Sequence, residues 1–499
     1  MSCKFRNSDR LKKIVAQGLF LASALGAGML GGAPPTQAQS TVTASGMYSS
    51  TPPTLPMAEL NSLQNSYQGS VASGRASTQT LPLSLQQALK RGLRYNLAVL
   101  LNAQARQAAR GRRWLALSRL LPRLTTSATT GKRLVNLYAI GFPTSIRNIN
   151  PISGPFNVFD ARASVRAPIL NLAALRNLQA ASAEVKAAGY GWQDARDVVV
   201  LAISNAYLLG VAARTEVQAA AAQVNTAQAL YRQAEDRYHA GFSPEIDTLR
   251  ARVELQSREQ HWIAARNEAR IARLNLARLI GLPDGQRFRL STPARYQSLR
   301  AMPYAQAFAE ALTNRADYHA AAAAVHAAQA RRRAIMAERY PWIGVAGDFG
   351  AAGFRPTFSH DTFSFTATLH LPVFQGGRVR GELMQAEAQL QQAEDRLNDL
   401  RGQIAYDLRT ALLNIQTANQ QVAVARSNTT LARQTLAQAR DRYAAGVTDN
   451  LEVVEAQETV AVVEDAYIAS LYQDNAAKIS LARALGNARQ TVLRYIGGN

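Results

Sequence analysis

The chain has 499 residues, 47% of them hydrophobic, and a formal net charge of +22. This length and apolar content are ample for a large folded body of two or three domains. The only cysteine, Cys3, excludes a disulfide framework, and its position before an apolar N-terminal run excludes a lipid-modified cysteine at the start of an exported chain. The charge suits nucleic acid, an acidic medium, anionic lipid or anionic cargo. Nucleic acid is disfavoured, because the arginines are spread along helical faces without interleaved aromatic residues.

The N-terminus has the layout of a secretory signal peptide. Five basic residues precede an apolar run from Ile14 to Leu30, and small residues follow at Thr36 and Ala38. We therefore predict a signal peptide over 1–38 that is cleaved after Ala38. The alternative is an uncleaved membrane anchor, since the apolar run is long for a signal peptide.

Residues 39–80 are rich in Ser, Thr, Pro, Gly and Gln, which predicts a flexible leader. Beyond it, the apolar stretch that comes nearest to a second membrane span is Val198 to Ala213. Ser204 and Asn205 interrupt it, which argues against a second helical span.

A long internal repeat follows the leader. AEDRYHAGFSPEID begins at Ala234, ARDRYAAGVTDNLE begins at Ala439, and the same offset pairs LARLIG with LARALG further on. A constant offset indicates that one structural unit occurs twice. The predicted organisation is repeat 1 over 81–283, a linker over 284–303, repeat 2 over 304–487 and a C-terminal tail over 488–499.

Each repeat is mostly helical in composition and contains one very long helix that ends at Gly241 or Gly446. About seventy residues at 1.5 Å each give a length of about 110 Å. Shorter helices are predicted over about 84–120, 247–281, 304–339 and 451–486. Their lengths suggest that they stack in pairs, 247–281 with 304–339 and 451–486 with 84–120, so that each pair matches one long helix.

Between the helices lie segments of strict polar and apolar alternation, FDARASVRA from Phe159 and TFSFTATLHL from Thr362. Weaker partners, RLTTSATTGK and WIGVAGDFG, lie upstream. We predict two hairpins, about 123–168 with a loop near 140–157 and about 342–371 with a loop near 351–361. Ten alternating residues match a tilted transmembrane strand, although a soluble hairpin is the alternative. Four strands cannot close a barrel in lipid, so the chain is expected to oligomerise. The polar positions predicted to face the barrel lumen are Asp160, Arg162, Ser164, Arg166, Thr362, Ser364, Thr366, Thr368 and His370.

These features resemble the TolC-like outer membrane factor family, the exit ducts of tripartite efflux pumps and type I secretion systems. The resemblance is carried by the doubled R-Y-x-A-G turn at 237–241 and 442–446, by the acidic residue six positions after each glycine, and by the doubled LAR-x-[IL]-G at helix ends. The LPRL and YPWI entries to the strands and the LPVFQGG exit add to it. The chain departs from the family in RYNLAVL at 94–100, where members commonly carry Asn-Pro, and in NRADYHA at 314–320, which also lacks proline.

The resemblance implies a mainly α fold with a membrane β-barrel part. Long helical hairpins and four strands per chain would assemble as a homotrimer, with a twelve-stranded barrel in the outer membrane on an α-helical tunnel in the periplasm. The linker and terminal segments would form an equatorial belt. The tip turns, 241–246 and 446–451, would dock a periplasmic membrane fusion protein whose inner-membrane pump is driven by protons or ATP. The docking residues implied are Arg237, Tyr238, Gly241, Phe242, Arg442, Tyr443, Gly446 and Val447.

The tip sequences also make local predictions. Gly241 and Gly446 are expected at positive φ, with Tyr238 and Tyr443 packed beneath the turns; an ordinary helix-ending glycine is the alternative. Asp247, Glu452 and Glu455 are predicted at the periplasmic gate. Glu452 and Glu455 lie at i and i+3, so threefold symmetry would form carboxylate rings that attract cations or pair with Arg442. The alternative is a solvated helix face. We expect the first tip to be a fixed docking corner and the second to be the movable lip.

No catalytic residue, cofactor or metal site is predicted, because the chain has no nucleotide-binding, HExxH or GxSxG motif. His319 and His326 lie on an Ala-rich helix and are expected at its surface. A passive duct fits this sequence best. The competing class is an exported soluble coiled-coil scaffold or adaptor, such as a membrane fusion protein, which would require a lipoyl-like β domain.

Overall fold

The computed structural model describes residues 67, 69–141, 152–292, 296–299 and 302–496, which all fall in one unit of the chain, Pro52–Asn499. The predicted signal peptide and most of the predicted leader lie outside the described residues. Helices dominate the described part, and a four-stranded sheet interrupts them.

Two helices are much longer than the others. Helix α3 spans Leu172–His239, with 68 residues, and helix α7 spans Arg378–Ala444, with 67 residues. At 1.5 Å per residue each is about 100 Å long. The return helices α4, Glu245–Leu279, and α8, Asn450–Ala484, have 35 residues each and pack against α3 and α7, respectively. The two predicted hairpins of unequal arms are thus present.

The remaining predicted helices are each broken in two. The first becomes α1, Leu85–Tyr95, and α2, Leu97–Ser118; the second becomes α5, Tyr304–Asn314, and α6, Ala316–Ala337. Asn96 and Arg315 adopt extended backbone at the breaks. The buried Asn96 caps α2 by accepting from the Ala98 N–H at 3.0 Å, and its Nδ2 donates to the Tyr67 carbonyl at 2.8 Å. A side-chain cap can therefore end and restart a helix where no proline is present.

The predicted stacking of the short helices is wrong. Helix α4 ends against the α1–α2 break, where Arg91 donates to the Gly281 carbonyl at 2.8 Å, and α8 ends against the α5–α6 break. Each return helix thus meets the short helices of its own repeat. Positive-φ glycines permit this approach, because a Cβ on Gly281 would lie 2.7 Å from the Val71 carbonyl oxygen and one on Gly486 would lie 2.6 Å from the Arg315 nitrogen.

The predicted leader, linker and tail, for which no helix or strand was predicted, carry regular or hydrogen-bonded structure. Within the predicted leader, Ser70 forms a β-bridge with Asn96 and the Val71 N–H donates to the Tyr95 carbonyl at 2.9 Å. Within the linker, β4, Phe288–Leu290, pairs in parallel with β1, Leu81–Leu83. The tail contains α9, Ala488–Tyr495. Buried side chains explain this order, since Leu83, Phe288, Leu290, Ala488 and Val492 all join one apolar core.

That core surrounds the middle of α3, and it explains the apolar stretch of this helix. Among the described residues, only α3 contains a window apolar enough to cross a membrane, with a mean hydropathy of 1.6, and 67% of that window is buried against other elements. Val199, Ile203 and Tyr207 are almost fully buried there. The apolar stretch therefore serves as a core helix.

The sheet has the order β2-β3-β5-β6, and all three pairings are antiparallel. Its strands are β2, Arg123–Asn136; β3, Ile152–Leu170; β5, Trp342–Arg355; and β6, Phe358–His370. The two hairpins join through β3 and β5, which leaves β2 and β6 at the edges. The predicted loop near 351–361 is wrong, because pairing continues through Ala351 and Asp361 to Arg355 and Phe358. The turn needs only Pro356 and Thr357.

Candidate functional site at the helix tips and on the sheet

The two helix tips have the same backbone construction. The N–H of Phe242 donates to the Arg237 carbonyl at 2.8 Å, and the N–H of Val447 donates to the Arg442 carbonyl at 3.0 Å. The glycine before each donor has φ of 74° at Gly241 and 73° at Gly446, which confirms the predicted left-handed conformation. Each turn is a Schellman motif that stops a helix of nearly seventy residues.

The two tips differ in the environment of their tyrosines. Tyr443 is 2% exposed and packs with Val453 and Ala456 of α8. Tyr238 is 40% exposed, so the prediction that it also packs beneath its turn is wrong. The first tip covers the Tyr443 ring through Arg237, which adds to the burial of this tyrosine.

An arginine of the first tip joins it to the second. The Arg237 guanidinium lies over the Tyr443 ring, 4.6 Å from its centroid, and Nη1 donates to the Tyr443 carbonyl oxygen at 2.7 Å. The cation–π contact and the charge-assisted hydrogen bond act on one residue together. Arg237 and Tyr443 therefore stabilise the contact between hairpins.

The docking residues that remain accessible are Tyr238, Gly241, Phe242, Arg442, Gly446 and Val447. Phe242 is 78% exposed and Val447 is 70% exposed, so each tip presents one apolar side chain at its apex. Arg442 forms an ion pair with Glu452 at 3.2 Å, as the sequence suggested. Sequence repetition could not show that the two arginines have different partners.

The predicted gate residues occupy unlike environments. Asp247 is buried between the tips, and Asn450 donates to its backbone carbonyl oxygen at 2.6 Å. Burial, with a smaller contribution from Asp449, raises the pKa of Asp247. Arg250 lies 3.8 Å from the carboxylates of both Asp247 and Asp449. Asp247 thus belongs to the contact between hairpins, because its helix face points toward the second tip.

Glu452 and Glu455 lie on a more accessible face of α8. Glu452 is half-buried beside Arg442, and Glu455 is exposed. Their placement three residues apart on one helix fits a paired carboxylate surface. Asp449, at the start of the same helix, caps α8 by accepting from the Leu451 N–H at 3.2 Å.

The strand register places the predicted lumen residues on one face of the sheet. Ser164 pairs with Asp348, which pairs with Ser364, and Arg162 pairs with Gly350, which pairs with Thr362. Side chains confirm the shared face, since Arg162 lies 3.4 Å from Asp348 and also pairs with Asp160, while Ser364 donates to Asp348. Asp348 was missed in the sequence because its strand alternates weakly; the register with Ser164 identifies it.

The opposite face of the sheet is apolar and exposed. Phe363 is 83% exposed and Phe365 is 74% exposed, with Leu124, Phe349 and Leu369 also exposed. Exposed apolar residues on β2, β5 and β6, opposite a charged face, are typical of strands that contact lipid. Sheet and tips together define a class of protein, one that joins a four-stranded antiparallel sheet with an exposed apolar face to long helical hairpins.

Comparison with known proteins narrows this class. Residues 84–282 and 307–487 match the outer membrane efflux protein family, and because these stretches cover more than half of the chain, the chain belongs to this family. Members of the family are channel proteins of the outer membrane, which is therefore the location of this chain.

Individual relatives are distant. The chain is 26% identical over 294 residues to the pyoverdine export outer membrane protein OpmQ of Pseudomonas putida, covering 58% of this chain and 62% of that protein. It is 25% identical over 313 residues to OpmQ of Pseudomonas aeruginosa, covering 62% of this chain and 65% of that protein. The matched part thus spans less than two thirds of these curated relatives. The outer membrane protein VceC of Vibrio cholerae shares the fold, with a TM-score of 0.69 and 20% identity over 81% of this chain and 96% of VceC.

Proposed function

We propose that the chain is one subunit of a passive exit duct across the periplasm and outer membrane. A single observation carries this proposal. A four-stranded sheet lies at one end of α3, with an exposed apolar face and with one free edge on each of β2 and β6, and the two helix tips lie in contact at the other end of α3. Family membership supports the same conclusion. The duct itself performs no catalytic step, and its cargo is selected mostly by the pump that it serves.

The duct is a homotrimer. An open sheet edge is not tolerated in hydrocarbon, so β2 and β6 require partners. Three copies provide twelve strands, which pair β6 of one copy with β2 of the next. The elements β1, β4 and α9, whose side chains join the core around the middle of α3, form the belt around the helices.

Fractionation and electrophoresis test the assembly. On cell fractionation the chain is expected in the outer-membrane fraction, from which only detergent extracts it. After purification it is expected to run in electrophoresis as a trimer that heating converts to a monomer. The substitution Phe365→Asp places a charge on the apolar face and is expected to reduce trimer recovery, whereas Thr366→Asp on the opposite face is the matched control. A soluble monomer would contradict the duct and favour an exported scaffold.

The accessible tip residues bind the hairpin of a periplasmic fusion protein, and a proton-driven or ATP-driven inner-membrane pump supplies the energy. Phe242 and Val447 are the apolar anchors of this contact. Phe242→Ser with Val447→Ser is expected to abolish cross-linking to the fusion protein and transport, while trimer yield stays unchanged. Unaltered cross-linking would show that the partner binds elsewhere.

The second tip is the movable lip of the gate and the first is the fixed docking corner. The lip carries Asp449, Glu452 and Glu455, whereas Pro244 restricts the first corner. Disulfides that lock α8 near Gly446 to a neighbouring helix are expected to stop transport, and reduction is expected to restore it. Transport through a confirmed cross-link would refute this division.

A further inference from the structure

Three side chains from three helices converge within the helical part, away from the tips. Glu216 lies on α3, His261 on α4 and Asp465 on α8. His261 Nε2 lies 3.0 Å from Glu216 Oε1 and 3.9 Å from Asp465 Oδ2, and one donor atom of each residue lies within 4.8 Å of the others. The repeat offset places Gln421, Ala466 and Gln260 at the corresponding positions, so the cluster is not a by-product of duplication.

The cluster has more negative charge than its neighbours balance. The positive charge of Arg258 acts on Asp465, but Glu254 accepts from the Arg258 Nε at 2.6 Å. Asp465 Oδ1 is buried and has no hydrogen-bond partner in the part of the chain that the structure describes. Burial and the neighbouring Glu216 carboxylate raise the pKa of Asp465 to about 7. Two carboxylates in contact at this depth require a cation or a proton between them.

We propose that Glu216, His261 and Asp465 bind a divalent transition-metal ion, for which Zn²⁺ is the best fit. Zn²⁺ takes histidine nitrogen at about 2.0–2.1 Å and carboxylate oxygen at about 2.0–2.2 Å, which sets tetrahedral ligand atoms about 3.3–3.5 Å apart. The observed 3.0 Å and 3.9 Å lie on either side of this spacing, so small side-chain movements complete the site. The imidazole disfavours Ca²⁺ and Mg²⁺, which prefer all-oxygen sites.

Access and the fourth ligand also fit. The His261 side chain is 33% exposed, whereas those of Glu216 and Asp465 are 14% and 21% exposed. One side of the cluster is thus open to solvent, which can supply a water molecule as the fourth ligand. The three protein ligands sit on helices that pack against one another, α3 with α4 and α8, and α4 with α8, which fixes their positions.

The consequence for the molecule rests on the proposed function. His261 and Asp465 lie about twenty residues beyond Gly241 and Gly446, so the site is about 30 Å from the tips along the return helices. A bound ion joins α4 of the first hairpin to α8 of the second. It therefore limits how far the two hairpins can separate, and the duct opens less readily when zinc is bound.

Zinc binding tests the site without transport. The full chain, purified in detergent without a polyhistidine tag and stripped with chelator, is titrated with ZnCl₂ in a calorimeter. One zinc per chain is expected, with at least about 10-fold weaker binding in His261→Gln and in Asp465→Asn. The control His326→Gln removes an exposed histidine of α6 and is expected to bind as the wild type does. Zinc is also expected to raise the unfolding temperature of the wild type and of the control, but not of His261→Gln.

Absence of zinc binding by the wild type, or equal binding by His261→Gln, would overturn the site. Channel recordings in planar bilayers separate this outcome from failure of the duct. Conductance in zinc-free buffer tests the duct itself, whereas a fall in open probability on adding ZnCl₂, lost in His261→Gln, tests the link between hairpins. Zinc binding that leaves open probability unchanged would overturn that link.

Discussion

The contact between Arg237 and Tyr443 yields the sharpest prediction, because the repeat supplies its own control. Arg237→Ala removes the cation–π contact and the hydrogen bond to the Tyr443 carbonyl. Arg442→Ala removes the arginine at the corresponding position of the second repeat. In the part of the chain that the structure describes, the Arg442 side chain forms a half-exposed ion pair with Glu452 and no other ion pair. The two substitutions are chemically identical and differ only in what each arginine contacts.

The magnitudes differ correspondingly. A charge-assisted hydrogen bond contributes about 1.5–3 kcal/mol and a partly desolvated cation–π contact about 0.5–2 kcal/mol. Since one side chain makes both contacts and is partly exposed, we expect Arg237→Ala to cost about 2 kcal/mol of contact between the tips. This corresponds to about a 30-fold shift toward separated tips in each chain. A surface ion pair contributes about 0–1 kcal/mol, so Arg442→Ala is expected to shift the equilibrium by less than about 5-fold.

Single-channel recording in planar bilayers measures this difference as open probability. Arg237→Ala is expected to open the duct more often than the wild type does, and Arg442→Ala is expected to have a smaller effect. Arg237→Lys keeps the charge but loses the planar guanidinium, so it should give an intermediate value. Equal effects of the two alanine substitutions, or a larger effect at Arg442, would refute the reasoning.

Three further results are expected. Glu452→Gln with Glu455→Gln should lower cation selectivity in a planar bilayer if threefold symmetry gathers these carboxylates at the mouth; unchanged conductance and selectivity would exclude the ring. Lys478→Met should lower the free energy of unfolding, measured by thermal unfolding, by about 3–5 kcal/mol, because it leaves the fully buried Asp474 without its ion pair. Adding Asp474→Leu should recover most of this loss, and a double variant as unstable as Lys478→Met would contradict the prediction. Because the pKa of Asp247 is raised in the folded tip, protonation favours the folded form, so acidification through this raised pKa should stabilise the tip until the ordinary aspartate pKa of 3.8 is reached. Hydrogen exchange at the tip, corrected for intrinsic rates, should show this gain in the wild type and not in Asp247→Asn.

Local patterns predicted much of this fold. The strand alternation gave both hairpins and placed Arg162 and Ser364 on one face, because side chains of a strand point alternately to opposite faces. The doubled glycine gave both tips and their positive φ, since a helix that must stop there requires a residue without a Cβ.

Contacts between distant segments were harder to predict. Helix lengths alone are consistent with two ways of stacking the short helices, and the choice is made by the fit of Gly281 and Gly486 against breaks that a proline-based rule does not detect. The burial of Asp247 and the different roles of Arg237 and Arg442 depend on which hairpin lies beside which. A repeat makes two copies look equivalent, so it hides this difference.

The sheet has consequences for how copies meet. Its two edges are unlike, with β2 at one side and β6 at the other, and the two tips are also unlike. Contacts between copies in the proposed trimer are therefore head-to-tail, and such contacts close into a ring only when each subunit is rotated by the same angle relative to the last. Every junction then uses one edge of each kind. When a chain with a damaged β2 edge is co-expressed with a chain that has a damaged β6 edge, the intact β6 of the first can still pair with the intact β2 of the second. Each mixed trimer, with two copies of either chain, then contains only one intact junction and cannot close the ring.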